Sequence, residues 1–245
     1  MHPYLLWPGP IAMAHRGGAS DAPENTMPAF QRAVDLGYRY VETDAQATAD
    51  GVVLAFHDDD LSRTCARPGR ISMLPIDDVV TARVSGLEPI PLLEELLTTF
   101  PDTRFNIDCK TDATTQPLVD LLTRLDVLDR VCVAAFGDRR IRLLRRLLGP
   151  EACTALGQGE IARLKFQGVA RGGDAAQVPV RTGRLTVVTQ RFMRRARAAG
   201  VAVHVWTIDD ADEMHRLLDL GVGGILTDRP GVLKEVLTER GEWHQ

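Results

Sequence analysis

Ala12-Met13-Ala14-His15-Arg16-Gly17-Gly18, continuing into Ala22-Pro23-Glu24-Asn25-Thr26, ends a short apolar run in an imidazole, a fixed cation and two glycines. Such an ending presents a reactive side chain at the rim of a sheet, because glycine permits positive φ and lets a ligand approach the backbone closely. Val41-Glu42-Thr43-Asp44 and Val52-Val53-Leu54-Ala55-Phe56-His57-Asp58 have the same form. Each is a short apolar stretch that stops at polar, chemically capable residues.

Outward from these stretches the chain alternates strand and helix. Thr26 is placed as a helix N-cap, with Pro28 in the first turn and a stripe of Phe30, Ala33 and Val34 that ends at Gly37. Tyr38 to Asp44 reads as a strand, and Asp50-Gly51 as a turn into the strand Val52 to Phe56. Residues 58–89, with Pro68-Gly69 and Pro75, read as a short insertion over the rim, either an ordinary loop with a short helix or a lid. Beyond Ile90 helices and strands alternate regularly to a last strand at Gly224 to Leu226 and a last helix from Pro230. About eight units in one α/β domain over residues 1–245 predict a TIM (β/α)8 barrel. The competing doubly wound open sheet lacks a Gly-rich dinucleotide turn after its first strand.

With 44% hydrophobic and 25% charged residues, the 245-residue chain has the composition of a soluble globular protein. Its net charge of −4 argues against a generic nucleic-acid surface or a polybasic membrane surface. Cys65, Cys109, Cys132 and Cys153 form no CxxC pair, which points to reduced thiols in a cytoplasmic protein. Met1 to Pro8 lacks the basic start of a secretory signal and reads as a segment packed against the closed end of the barrel. No apolar run is long enough to span a bilayer, and no motif speaks to oligomeric state.

In a barrel the residues that close the strands form the active site. Glu42 and Asp44, two apart on a strand, share a face, and their repulsion raises the pKa of one unless a cation sits between them. With Asp108 they form an all-oxygen set suited to one hard divalent cation, Mg2+ or Ca2+; solvated strand-end acids are the plainer reading. His15 and His57 are the candidate acid and base, although either taken singly reads as a structural histidine. Arg16 and Lys110 can meet a phosphate or balance the acids. Glu24 and Asn25 either orient these groups or cap the next helix. Trp206 is a substrate wall or a core residue. Asp228, before Pro230, reads most simply as a helix cap, and His204 and His215 receive no catalytic role.

The ordered set His15-Arg16-Gly17, Pro23-Glu24-Asn25-Thr26, Glu42-Thr43-Asp44, Thr48-Ala49-Asp50-Gly51, His57-Asp58, Leu61-Ser62-Arg63-Thr64, Asn106-Ile107-Asp108-Cys109-Lys110, Val205-Trp206-Thr207 and Gly224 to Pro230 resembles the glycerophosphodiester phosphodiesterase family. The resemblance covers nearly the whole chain. It implies a TIM barrel and metal-dependent hydrolysis of a small-molecule glycerophosphodiester to sn-glycerol 3-phosphate and an alcohol. By motif, Glu42, Asp44 and Asp108 would bind the cation, His15 and His57 would be acid and base, and Arg16, Glu24 and Lys110 would line the phosphate site. Asp108 stands where the family often has glutamate; its shorter reach leaves a water to complete the coordination or a different metal to be preferred. The insertion looks shorter than the cap of many relatives, which leaves substrate preference open. Nucleic-acid partners and stable membrane insertion are not expected. The alternatives are a lysophospholipase D-type activity at the same site and a catalytically silent phosphodiester-binding barrel, the latter opposed by the presence of both histidines and all three acids.

Overall fold

Among the residues that the computed structural model describes, 2–20 and 22–244, eight parallel strands form a ring in chain order. They are β1 (Ile11–Ala14), β2 (Tyr40–Ala47), β3 (Arg104–Cys109), β4 (Val131–Ala134), β5 (Cys153–Thr154), β6 (Ala175–Pro179), β7 (Ala202–Trp206) and β8 (Gly224–Thr227). The longest pairing, β2 with β3, runs from Tyr40↔Arg104 to Ala45↔Cys109. The ring closes where β8 returns to β1, from Ile11↔Gly224 to Ala14↔Thr227. The short β5 joins β6 through the Ala155↔Ala175 bridge, flanked by the Leu156 N–H to Ala175 O bond at 2.8 Å. This is the expected TIM barrel.

Helices α1 (Met27–Asp35), α2 (Leu93–Thr99), α3 (Thr115–Leu125), α4 (Asp138–Leu148), α5 (Gln158–Gln167), α6 (Gln190–Ala198), α7 (Ala211–Asp219) and α8 (Pro230–Glu239) cover the outside. Each buries a stripe at helical spacing: Ile141, Leu144 and Leu148 in α4, Met214, Leu217 and Leu218 in α7. Thr26 holds the N-cap position of α1, but its hydroxyl donates to Pro23 O at 2.7 Å instead of accepting from the helix. The segment Val53–Ala55 runs antiparallel to β2 and lies off the ring. The Asp50-Gly51 turn allows nothing else, since a parallel return needs a crossover of a dozen residues or so. Residues 58–89 bring Leu61, Ile71, Val79, Ala82 and Val84 into a small apolar cluster with Leu54 and Phe56, so the insertion is packed.

The bottom of the lumen is sealed by the turn Pro3–Leu5, as expected of the N-terminal segment, of which Met1 lies outside the described residues. Tyr4 is fully buried among Met13, Tyr40, Cys132, Cys153 and Leu226, and the Tyr40 hydroxyl donates to Tyr4 O at 2.7 Å. One layer higher, Asn106 and Gln177 exchange amide hydrogen bonds across the lumen at 3.2 and 2.6 Å. His204 is buried at zero exposure, and neither ring nitrogen has a partner among the described residues. Gly224 makes room for it: a Cβ there would stand 2.8 Å from Ile11 O and 3.1 Å from the His204 ring.

Burial holds the His204 pKa down to about 4 from an ordinary 6.5. Below pH 6.5 the unfolded chain takes up a proton that the native barrel refuses, so this residue makes stability fall as pH drops through that window. Urea unfolding should show that His204 contributes roughly 2 kcal/mol of lost stability between about pH 7 and 5. A His204→Leu variant should lack that component; an unchanged pH slope would refute the account.

Candidate active site

The chain leaves β1 in an unusual backbone path. Arg16, Gly17 and Gly18 have φ of 51°, 82° and 91°, and Asn25, whose N–H bonds Arg16 O at 2.9 Å, has φ of 55°. Left-handed conformations cost a non-glycine residue free energy and persist where the surroundings enforce them. At Gly17 no side chain fits, because a Cβ would lie 2.9 Å from the backbone of Ala29 and Phe30 in α1. The turn aims the Arg16 N–H at Glu42 Oε2, 3.0 Å away, and lays its guanidinium beside Asp44, with Nε 3.3 Å from Oδ2.

Glu42 and Asp44 share a face of β2, and Asp44 lies opposite Asp108 in the register with β3. The Lys110 ammonium stands between the latter two, 2.7 Å from Asp44 Oδ1 and 2.7 Å from Asp108 Oδ2. Asn25 Nδ2 donates to Asp44 Oδ2 at 2.8 Å, and Asn25 Oδ1 accepts from the Thr43 hydroxyl at 2.8 Å. Burial opposes ionisation of Asp44, but Lys110 and Arg16 outweigh it and hold the carboxyl below its usual range. Glu42 goes the other way: burial first, then the charge of Asp44, push it up to about 7. Two acids two residues apart thus differ in protonation because cations lie directly against Asp44, while Glu42 has weaker help from the His15 imidazole, the more remote Lys110 charge and one backbone donor, which does not offset its burial. Asp108 Oδ1 is buried without a partner among the described residues. No three His, Cys, Asp or Glu side chains among the described residues stand close enough together to enclose an ion.

Both histidines are oriented through Nδ1. His15 bonds Asp228 Oδ1 at 2.7 Å and turns Nε2 toward Glu42 Oε2 at 3.8 Å. Burial lowers its pKa, but Glu42 and Asp228 more than restore it, so the net shift is upward. His57 bonds Asp58 Oδ1 at 2.6 Å. In each case a carboxylate accepts from Nδ1–H, which fixes the tautomer and leaves Nε2 as the unprotonated ring nitrogen.

Asp228 is therefore not the helix cap that its place before Pro230 suggested. Arg229 occupies the N-cap of α8 without a side-chain capping bond, while Asp209 holds the Asp228 N–H at 2.8 Å and the acid faces His15. Arg63, from the insertion, is a second residue that sequence reasoning assigned no role. It bonds Asp58 and Glu24 together, and Glu24 Oε1 accepts from Arg16 Nη1 at 2.9 Å. A continuous ionic chain thus runs from His57 through Asp58, Arg63, Glu24 and Arg16 to Asp44. Glu24 bonds Arg16 and Arg63, and Asn25 bonds Asp44 and Thr43, while Thr26 holds the N-cap position of α1. Trp206 packs edge-on to Phe136 with ring centroids 5.8 Å apart, and Lys110 Nζ lies 5.7 Å from the Phe136 ring. Phe136, 53% exposed, adds an aromatic wall that sequence reasoning missed, as nothing marked it apart from other residues after a strand.

The sequence model of the Glycerophosphoryl diester phosphodiesterase family matches residues 15–232. The chain is 41% identical to the "Probable glycerophosphodiester phosphodiesterase 2" of Mycobacterium tuberculosis over 98% of its own length and 95% of the relative's. It is 26% identical to a lysophospholipase D of Homo sapiens over 92% of its length and 85% of the relative's. Its fold superposes on an Oleispira antarctica phosphodiesterase, solved in complex with the product sn-glycerol-3-phosphate, with a TM-score of 0.79, 22% identity and coverage of 94% and 97% of the two chains.

The raised pKa of Glu42 has a cost in stability. Between its ordinary 4.5 and about 7 the native state keeps a proton that the unfolded chain releases, so this group makes stability fall as pH rises through that window. In chelator-treated protein, Glu42→Gln should be more stable than the parent at about pH 8, by roughly 3 kcal/mol, and equal to it near pH 4. Parallel denaturation curves at both pH values would show that burial is not what perturbs this acid.

Proposed function

The chain belongs to the glycerophosphoryl diester phosphodiesterase family and is a phosphodiesterase of that kind; from this premise we propose that it cleaves small glycerophosphodiesters to sn-glycerol 3-phosphate and an alcohol with His15 and His57 as the acid–base pair. The observation that carries the reading is the shared geometry of the two imidazoles: each has an acid on Nδ1, and both rise from the rim that holds Arg16 and Lys110. The product found in the Oleispira structure supports the choice of glycerol phosphate as the fragment released.

A phosphodiester anion repels an incoming nucleophile, and Arg16 and Lys110 offset that repulsion at the rim. Arginine's planar fork suits two phosphate oxygens, and the Glu24 contact leaves part of the guanidinium to meet them. One histidine takes the proton of the nucleophile and the other delivers a proton to the departing alkoxide. The nucleophile is either the neighbouring glycerol hydroxyl, which gives a cyclic phosphate first, or water. Trp206 and Phe136 face the non-reacting part of the substrate.

The donor chemistry suits a hard cation, since Glu42, Asp44 and Asp108 are all oxygen ligands and Asp108 Oδ1 is buried without a partner among the described residues. The three acids stand too far apart here to enclose an ion, and Lys110 Nζ lies between Asp44 and Asp108, so they would have to draw together around the cation. These three would hold Mg2+ or Ca2+, which when bound supplies additional positive charge to the phosphate site. Aspartate at position 108 reaches less far than glutamate, so water would share the coordination. The cysteines, all free, support a cytoplasmic setting. Among the described residues no helix is long and apolar enough to cross a membrane. The similarity to a human lysophospholipase D favours including lysolipids among the substrates tested.

His15→Ala and His57→Ala should each lower turnover of glycerophosphocholine, glycerophosphoethanolamine or glycerophosphoglycerol by at least about 10²-fold with unchanged melting. Near-parental rates in both variants would remove the histidines from the mechanism. Thorough chelation should abolish turnover and readdition of a single divalent ion should restore it; activity indifferent to chelation would overturn the role assigned to the three acids. A lysolipid hydrolysed faster than every soluble diester would favour the second substrate class.

A further inference from the structure

The formal charge of −4 conceals a strong segregation. Residues 138–200 hold fourteen of the 29 basic side chains but only four of the 33 acidic ones. Three of those four acids are engaged by the fold: Asp138 accepts from the Gly159 N–H at 3.0 Å, Glu160 is buried against Arg145 at 3.1 Å, and Asp174 accepts from the Thr154 N–H at 3.1 Å. The fourth, Glu151, is exposed. The segment forms α4, α5 and α6, which follow one another around the outer wall and pack together.

On this wall Arg142 and Arg146 of α4, Arg163 of α5 and Arg194 of α6 are exposed and have no acidic partner among the described residues. Arg124 and Arg216, by contrast, are neutralised, by Glu94 at 2.7 Å and by Glu213 at 2.6 Å. Arg142 and Arg146, one turn apart, border a shallow open depression beside Leu143. Between the arginines, large apolar side chains face outward: Leu147 is 40% exposed and Phe166 62%. Unpaired guanidinium groups on neighbouring helices repel one another, and an external anion relieves that repulsion. Charge alone would serve a nucleic acid; exposed phenylalanine and leucine among the charges gain nothing from its phosphates, but they gain from a hydrocarbon boundary.

We propose that the α4–α6 wall is a docking surface for an anionic phospholipid bilayer. The guanidinium groups meet headgroup phosphates while Phe166 and Leu147 enter the boundary between headgroups and acyl chains. The rest of the chain carries the compensating acidic excess, and the ring order puts α1 and α8 on the far side, so the field of the molecule turns this wall toward a negative membrane. The contact is peripheral and reversible. Whole-chain charge argues against a polybasic membrane surface only because the two halves of the barrel cancel.

The test is sedimentation of the intact protein with phosphatidylcholine vesicles, with and without phosphatidylglycerol, at low and high salt. Binding should require phosphatidylglycerol and be released by salt. The triple variant Arg142→Glu, Arg146→Glu, Arg194→Glu should bind at least about tenfold more weakly. Phe166→Ser should weaken binding while keeping its salt dependence. Both variants should keep the parental melting temperature and hydrolysis of a soluble diester, since neither touches the rim; this separates loss of docking from misfolding. Failure to bind anionic vesicles at low salt would overturn the proposal, as would parental binding by the triple variant. So would capture of a single-stranded RNA homopolymer with indifference to vesicles, which would make the wall a nucleic-acid surface. Because vesicle binding is read without turnover, failure here leaves the hydrolase reading untouched, and the reverse also holds.

Discussion

The ammonium of Lys110 held between Asp44 and Asp108 is the contact on which the upper half of the barrel depends. Strand register sets the two acids opposite one another on β2 and β3, and Glu42 adds a third from the same strand. Three carboxyl groups at a nearly dry rim cannot all ionise without cations. Arg16 and Lys110 serve Asp44, and Glu42 keeps its affinity for a proton instead. The charge distribution of the site thus follows from which acids the backbone brings within reach of a basic group. The unusual turn after β1 exists to place Arg16 among them.

Much of this arrangement can be read from the sequence. Strand–helix alternation is a local signal, repeated often enough to identify the barrel, and strand ends are where a barrel does its chemistry. His15, Arg16, Glu42, Asp44, Asp108 and Lys110 all lie at such ends and come together at one rim. The direction of Val53–Ala55 was also implicit, in the length of its turn. Asp228 and Arg63 were not legible in the same way. An acid before a proline has an adequate local explanation as a cap, and its partner His15 lies 213 residues away. Arg63 sits in an insertion whose periodicity is weak, and its two acidic partners come from different loops. Contacts of that kind depend on the closed ring, and no window of sequence contains both ends.

The insertion is tied to the chemistry by charge. Its hydrophobic cluster anchors it on Leu54 and Phe56, and Arg63 then links Asp58, which steers His57, to Glu24, which steers Arg16. The loops that carry His57 and Arg16 are thereby referred to one another and not only to their own strands. A substitution in the insertion that leaves its small core intact can still disturb the imidazole and the guanidinium together.

The join between β8 and β1 has a consequence for biosynthesis. In order of synthesis His15 precedes by 213 residues the acid that orients it, which arrives with the strand that closes the ring. A nascent chain that has made most of its wall still has an open seam and an imidazole free to rotate. The orientation of this imidazole is therefore among the last features of the fold to be set, once the ring has closed.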